Sequence, residues 1–226
     1  MTLTLHTVIL YGCAAAVVPT GAKILQAEAG DGRRLSPVEL LGTLWRRPVP
    51  WVAAGMVAVM GAMAIVQTVA PPVMDHLQRE PGAPWWRAAT ALLVQTSGPL
   101  QLFFNLAAIV VIAPVAQRLL GPVLMPLVFL VSGVAAQAVS MAGWSPTGGG
   151  DSVALCGLVG ALAAHRALRP ASPESRLLPL LIPAAGLVLC AISNNHGVGL
   201  VTGAVLGAAL TALHGFRGAS AAQPVG

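Results

Sequence analysis

Long, continuously apolar segments separated by shorter polar ones are the main pattern along this chain. A helix needs about 20 apolar residues to cross a bilayer core, and most of these segments have that length. Membrane β-strands would instead alternate apolar and polar residues over about ten positions, so the pattern predicts helices. Seven spans are predicted, at residues 5–25, 50–70, 99–119, 122–143, 152–168, 177–193 and 196–216.

Composition supports an all-α polytopic membrane bundle. Of the 226 residues, 56% are hydrophobic and 8% charged, whereas a soluble domain has about a quarter charged residues. The net charge of +5 comes from scattered basic residues without a basic stripe, so we expect the lipid bilayer as surroundings and no nucleic-acid partner. Cys13, Cys156 and Cys190 all lie in apolar segments, which favours packing over a disulfide or metal site.

The N-terminal segment predicts a retained helix. No basic residues precede its apolar stretch, and Lys23 follows it, which is unlike a signal peptide. We therefore predict an N-terminal transmembrane helix with a cytoplasmic linker at 1–48. A six-helix membrane domain at 49–217 and a short flexible cytoplasmic tail at 218–226 would follow.

The distribution of Lys and Arg predicts the orientation. If the segment 26–48 is cytoplasmic, that side carries ten basic residues, namely Lys23, Arg33, Arg34, Arg46, Arg47, Arg118, Arg166, Arg169, Arg176 and Arg217. The outer side carries Arg79 and Arg87. This positive-inside bias places the N-terminus outside. The spans that start near residues 99, 152 and 196 then enter the membrane from the outer face.

Four polar residues lie within about two turns of those entry points, namely Gln101, Asn105, Ser152 and His196. They share one depth just below the outer surface. Polar residues at such a depth normally face the bundle interior and mark functional sites.

Ser152 and His196 have side chains suited to nucleophilic catalysis. Ser152 follows three glycines and Asp151 at the start of an apolar segment, where free backbone N–H groups and the helix dipole can stabilise an oxyanion. A neutral His196 can serve as its general base. The alternatives are an ordinary helix cap for Ser152 and an interfacial histidine in a short loop for His196.

Small residues predict that these two helices pack closely. The last span carries Gly199, Gly203 and Gly207, and the serine span carries Gly157 and Gly160. Such spacing allows close helix contact. The alternative is generic packing or a dimer face, and the oligomeric state stays open.

Gln101 and Asn105 are four residues apart and share one helix face. Their amides can donate to a developing oxyanion. Hydrogen bonding between helices is the alternative role.

Four segments together resemble the rhomboid family of intramembrane serine proteases, over about residues 50–216. They are Trp86-Arg87, Gln101-Leu102-Phe103-Phe104-Asn105, Gly150-Asp151-Ser152 and His196-Gly197-Val198-Gly199-Leu200-Val201-Thr202-Gly203. The resemblance implies a six-helix core, here with one extra N-terminal helix, and a water-accessible cavity open to the outside. It also implies cleavage of transmembrane protein substrates near their outer ends, without metal or cofactor. The expected location is a bacterial plasma membrane with the active site facing outward.

By the same resemblance Ser152 is the nucleophile and His196 the general base, while Asn105 and the Ser152 N–H line the oxyanion hole. The chain departs from the family pattern at Gln101, where the family has a histidine, and at Val153, Cys156 and Gln117, where it has a small, an aromatic and an acidic residue. An active or weakly active protease and a pseudoprotease that binds transmembrane segments without cutting them both fit these departures. A small transporter would need inverted repeats or midplane charges, which the sequence lacks.

Overall fold

The computed structural model describes residues 4–29, 33–46, 48–169 and 176–221, with side chains described as far as Leu213. This part of the chain forms nine α-helices, a π-helical turn at Ser140–Trp144 and a short 3₁₀ turn at Leu178–Leu180. The helices are α1 Leu5–Ala29, α2 Pro37–Leu44, α3 Trp51–Val69, α4 Val73–Leu77, α5 Arg87–Thr90, α6 Pro99–Val139, α7 Ser152–Leu168, α8 Leu181–Ala191 and α9 Asn195–Ala221. Of the predicted tail, residues 222–226 lie outside the described residues.

The predicted all-α membrane bundle is confirmed. Among the described residues, four helical stretches are long and apolar enough to cross a bilayer, namely Leu5–Ala29, Trp51–Val69, Pro99–Trp144 and Asn195–Leu213. Two shorter apolar helices, Ser152–Leu168 and Leu178–Ala191, pack among them. These six stretches correspond to the seven predicted spans, to within a few residues at their ends, because α6 carries two.

A break at Gly121 divides α6 into those two spans. Its 41 residues would extend about 60 Å as one straight helix, twice the thickness of a bilayer core. Gly121 has φ +86° and ψ 169°, a conformation open to glycine and costly for residues with a Cβ. Pro122 follows directly and lacks a backbone N–H, so the helix ladder is interrupted there. The chain therefore turns back into the membrane.

The tightest helix contact in the bundle joins α7 to α9. A Cβ at Gly199 would overlap the backbone oxygen of Val153, and one at Gly203 would overlap that of Gly157. On the opposite helix, a Cβ at Gly160 would overlap the Leu200 carbonyl. The two backbones touch directly at these positions, so larger side chains would force the helices apart.

The extra helix α1 lies along α7 and α8. In the first half of α1, the thiol of Cys13 donates to the Ala185 carbonyl of α8 at 3.8 Å. At the C-terminal end of α1, Glu28 is paired with Arg166 at 3.2 Å and with Arg169 at 3.5 Å, both at the C-terminal end of α7. The Glu28 side chain is only 7% exposed. These contacts join α1 to α8 near the middle of α1 and to α7 at the C-terminal end of α1.

Gln117, near the C-terminal end of the first span of α6, has a structural role. Its Oε1 accepts the N–H of Ala53 at 2.8 Å, in the first turn of α3. That N–H has no intrahelical partner, so the buried amide satisfies it. A neutral oxygen acceptor is sufficient for this bond.

The glycine contact predicts that Gly203→Ala destabilises the protein. The added methyl group would meet the Gly157 backbone, and overpacking of this kind costs about 1–3 kcal/mol. The measurement is the apparent melting temperature in detergent, with Gly55→Ala as a matched control because a Cβ at Gly55 has nothing within 4 Å. The control should keep or slightly raise the melting temperature, since alanine favours helix over glycine by about 1 kcal/mol. Equal melting temperatures for the two variants would contradict the close contact.

Candidate active site

Ser152 and His196 meet where the N-terminal ends of α7 and α9 lie together. The Oγ of Ser152 and the Nε2 of His196 are 2.9 Å apart. Ser152 is the first residue of α7, and His196 is the second residue of α9. Because the two helices touch along their glycines, their first turns lie side by side. A hydroxyl and an imidazole at this distance form the hydrogen bond that a serine nucleophile and its general base require.

Asn194 determines which nitrogen of His196 carries the proton. Its Oδ1 is 3.0 Å from the backbone N of His196, and a backbone N–H can only donate, so the oxygen must face it. The same Oδ1 is 3.0 Å from Nδ1 of the ring, and Nδ1 must therefore carry a hydrogen. In the neutral ring Nε2 is then the unprotonated nitrogen, which accepts the Ser152 hydroxyl hydrogen. Asn194 thus supplies the third, orienting group of the arrangement.

The loop before Ser152 needs glycines at two positions. Gly150 has φ +153°, and a Cβ there would overlap the Gln101 amide. A Cβ at Gly149 would lie 2.7 Å from the Ala91 carbonyl. Gly150 donates its N–H to that same carbonyl at 2.8 Å. The loop is therefore pressed against the chain that precedes α6, and this sets the position at which α7 starts.

The Ser152 backbone offers one donor to a bound carbonyl. As the first helical residue, it has an N–H without an intrahelical acceptor. The positive end of the α7 dipole lies at the same point and favours negative charge. Both features suit a developing oxyanion beside Oγ.

Gln101 directs its amide nitrogen toward the loop that leads into Ser152. Its Oε1 accepts the Ser97 N–H at 2.7 Å, which leaves Nε2 facing the 148–150 loop. There Nε2 donates to the Gly149 carbonyl at a long 3.3 Å. An amide nitrogen carries two hydrogens, so one donor can still reach a ligand.

Asn105 lies one step further from the dyad. Its Nδ2 donates to Oε1 of Gln95 at 2.6 Å, and Nε2 of Gln95 donates to Asp151 at 2.7 Å. Gln95 also donates its backbone N–H to Gln67 at 3.0 Å. These side chains are all buried. The structure therefore connects Asn105 to the residue that precedes Ser152.

Asp151 is a buried acid directly beside the serine. Its side chain is fully buried, and its Oδ2 has no partner among the described residues. Burial raises the pKa of the Asp151 carboxyl to about 6, while the hydrogen bond from Gln95 acts in the opposite direction. The carboxyl is held by neutral amides, so it helps fix the loop in front of α7.

A polar cavity of about 220 Å³ opens over the dyad. Its wall includes Ser152, His196 and Gln101, together with Arg79 and Gln137. The remaining lining residues are Thr96, Ser97, Ser145, Thr147, Gly148, Gly149, Gly150, Val153 and Asn195. Hydroxyl, amide and guanidinium groups line this wall, which makes it suitable for water and for polar parts of a ligand.

An apolar cavity of about 370 Å³ reaches His196 from another side. Residues of α1, including Tyr11 and Val17, form one wall, and Cys156, Leu189 and Leu200 form the other. His196 and Asn194 belong to its lining as well. The imidazole therefore lies between a polar and an apolar space.

The sequence-predicted residues Gln101, Ser152 and His196 come together around the polar cavity, while Asn105 lies behind Gln95. The predicted packing residues Gly157, Gly160, Gly199 and Gly203 lie in the helix contacts beneath them. Sequence reasoning missed the parts played by Asn194, Gln95, Asp151, Arg79 and Gln137. The Asn-Asn pair before His196 was a usable signal for an orienting group, and Arg79 was one of two basic residues on the outer side.

Asn194→Ala should slow the reaction of Ser152 with a fluorophosphonate probe by about 10-fold or more, because the imidazole loses the acceptor that orients it. Asn194→Asp keeps that oxygen and should restore most of the rate. Asn195→Ala is the matched control, since Asn195 bonds to Ser140 rather than to the ring. The rates are measured with melting temperatures in parallel. An equal loss of reaction rate in all three variants would show that the segment before His196 matters only for folding.

Residues 82–215 match the family model described as the Rhomboid domain. A search of curated proteins finds no significant match. The matched region runs from the loop before α5 into α9, includes Ser152 and His196, and covers more than half of the chain. The chain is a member of the rhomboid family.

Proposed function

We propose that this protein is an intramembrane serine endopeptidase that cuts transmembrane protein substrates near the outer membrane face. The observation that carries the proposal is the 2.9 Å hydrogen bond from Ser152 to a His196 ring whose tautomer is set by Asn194. Rhomboid-family proteins are generally intramembrane serine proteases. The dyad gives this chain the two groups that such chemistry needs.

The first half of the reaction would transfer an acyl group to Ser152. Its Oγ attacks the scissile carbonyl carbon while its proton passes to Nε2 of His196. The carbonyl oxygen becomes negatively charged, and the Ser152 N–H and the Gln101 amide are placed to donate to it. When the C–N bond breaks, His196 returns the proton to the leaving amine.

The second half would use a water molecule from the polar cavity. The water attacks the ester carbonyl, and His196 accepts its proton. The C–Oγ bond then breaks, and the proton passes from Nε2 back to Oγ. The residues that hold the imidazole thus act in both halves.

The two cavities support a membrane-embedded substrate. A transmembrane segment is apolar, and the apolar cavity between α1 and α7–α9 leads to His196. Hydrolysis needs water, and the polar cavity reaches the same dyad. The surplus of Lys and Arg on the opposite side supports an outward-facing site. A bacterial plasma membrane fits this proposal.

The departures at Gln101, Val153 and Cys156 support a second candidate, a pseudoprotease that binds transmembrane segments. The Gln101 amide donates one of its hydrogens to the Gly149 carbonyl. This leaves less of it for an oxyanion, and loss of one oxyanion donor lowers the rate by about 10²–10³-fold. Val153 is buried where a Cβ at Gly199 would meet its carbonyl. Cys156 presents no ring to the imidazole. These features weaken the site without removing the dyad.

The decisive experiment is cleavage of a panel of model transmembrane substrates in liposomes. Wild type should release a product, while Ser152→Ala and His196→Ala should lower the rate by about 10³-fold or more, since both residues are needed for acyl transfer. His165→Ala is a control for loss of a histidine away from the dyad. A wild type that neither cuts any substrate nor reacts with a fluorophosphonate, but still binds the segments, would support the pseudoprotease.

The role of Gln101 gives a separate prediction. Gln101→Ala should lower the rate of cleavage by about 10-fold or more with little change in substrate binding, because an oxyanion contact forms only in the transition state. Gln101→His should keep or raise that rate. The initial rate of cleavage and the binding affinity are measured with the same substrate. If both variants cleave like wild type, Gln101 only joins α6 to the 148–150 loop; if wild type is inert and Gln101→His is active, this residue explains the inactivity.

A further inference from the structure

Arg79 is a buried cation beside the dyad, in the loop between α4 and α5. Only 6% of the residue is exposed. Its backbone pairs with Gly148 through two hydrogen bonds, N to O at 2.9 Å and O to N at 3.0 Å. The guanidinium consequently lies next to the loop that leads into Ser152.

The partners of the guanidinium are all neutral. Its Nε donates to the Ser145 carbonyl at 2.7 Å, Nη2 donates to the Ser145 hydroxyl at 3.3 Å, and Nη1 donates to Oε1 of Gln137. An arginine side chain has five N–H donors in a planar fork. These contacts use three of them, which leaves two for a ligand.

No carboxylate pairs with Arg79 among the described residues. The ion pairs found there join Arg87 to Glu80, and Arg166 and Arg169 to Glu28. Asp151, the nearest acid along the neighbouring loop, is bound by Gln95 and forms no ion pair with Arg79. A buried charge is costly unless an opposite charge and hydrogen bonds compensate for it. The Arg79 guanidinium thus has hydrogen bonds but no counter-ion among the described residues.

The unpaired fork lines the polar cavity with Ser152 and His196. The other polar groups of that wall are neutral hydroxyls and amides, apart from the titratable His196 itself. An anion in this cavity would meet Arg79 without a competing negative charge on the lining. Guanidinium matches the two oxygens of a carboxylate through parallel hydrogen bonds.

We propose that Arg79 binds a carboxylate of the substrate, so that the protein selects segments with Asp or Glu beside the scissile bond. The proposal rests on the proposed function of the same site and names its substrate class. The acidic side chain enters the polar cavity while the apolar part of the segment stays in the membrane. Arg79 is then a specificity-determining residue, which provides the missing counter-charge only when such a substrate is bound.

A double-mutant cycle tests the proposal. Capped model segments that differ only in Asp or Asn next to the scissile bond are cleaved by wild type and by Arg79→Gln. Because both peptide ends are blocked, the side chain is the sole source of a carboxylate. Wild type should prefer Asp by about 10-fold or more, as expected for a charge-assisted bidentate contact. Arg79→Gln should prefer it by less than about 2-fold, and Arg79→Lys should fall between.

Arg87→Gln is the matched control. Arg87 belongs to the neighbouring outer segment but bonds to the carbonyls of Asp75 and Gln78 and to Glu80, outside the cavity lining. Its replacement should leave the preference for Asp unchanged. If Arg87→Gln removes the preference to the same extent, the effect is general electrostatics and the proposal is wrong.

A binding measurement separates this proposal from the proteolysis itself. The same Asp and Asn segments are titrated against Ser152→Ala, and against Ser152→Ala combined with Arg79→Gln, with fluorescence as the readout. A preference for Asp that depends on Arg79 supports the carboxylate site even if no substrate is ever cut. Equal affinities for Asp and Asn in Ser152→Ala, or a wild type that prefers Asn in cleavage, would overturn it. The two overturning results need no change at Arg79, so they can refute the proposal even if Arg79→Gln fails to fold.

Discussion

The direct backbone contact between α7 and α9 is the constraint on which the site depends. Ser152 and His196 each belong to the first turn of one of these helices, so their distance follows from how closely the helix axes approach. Glycines 199 and 203 allow an approach that a single methyl group would prevent. Hydrogen bonding decays steeply beyond about 3.2 Å, and a shift of one ångström would therefore separate the dyad. The packing of the helices and the distance between Ser152 and His196 are therefore controlled by the same small residues.

The spans and the dyad were predictable from the sequence because each follows from local physics. A bilayer requires about 20 apolar residues per crossing, so composition alone locates the helices. The charge bias then predicts their orientation, and this orientation would put Gln101, Ser152 and His196 at one depth. Glycine spacing indicates which helices touch. The return of the chain at Gly121-Pro122 has an equally local cause, since both residues interrupt a helix.

The supporting residues could not be predicted in the same way. Arg79 bonds to Ser145 and Gln137, which are 66 and 58 positions away along the chain. Gln95 likewise joins Asn105 to Asp151. Such contacts depend on how irregular loops fold over the outer ends of the helices, and no periodicity encodes a loop conformation. Two adjacent asparagines also look equivalent in the sequence, yet only Asn194 faces the imidazole.

The site concentrates polar groups whose burial the fold does not fully compensate. Arg79 has no counter-ion among the described residues, and Asp151 retains an oxygen without a partner there. Natural proteins satisfy almost all buried polar groups, and exceptions tend to occur where a ligand completes the arrangement. The two side chains form no ion pair with each other: Gln95 binds Asp151, while Gln137 and Ser145 bind Arg79. This separation leaves the positive group facing the space that a substrate would enter. An ion pair between Arg79 and an acid of the protein would instead have left the cavity without an uncompensated charge to attract an anion.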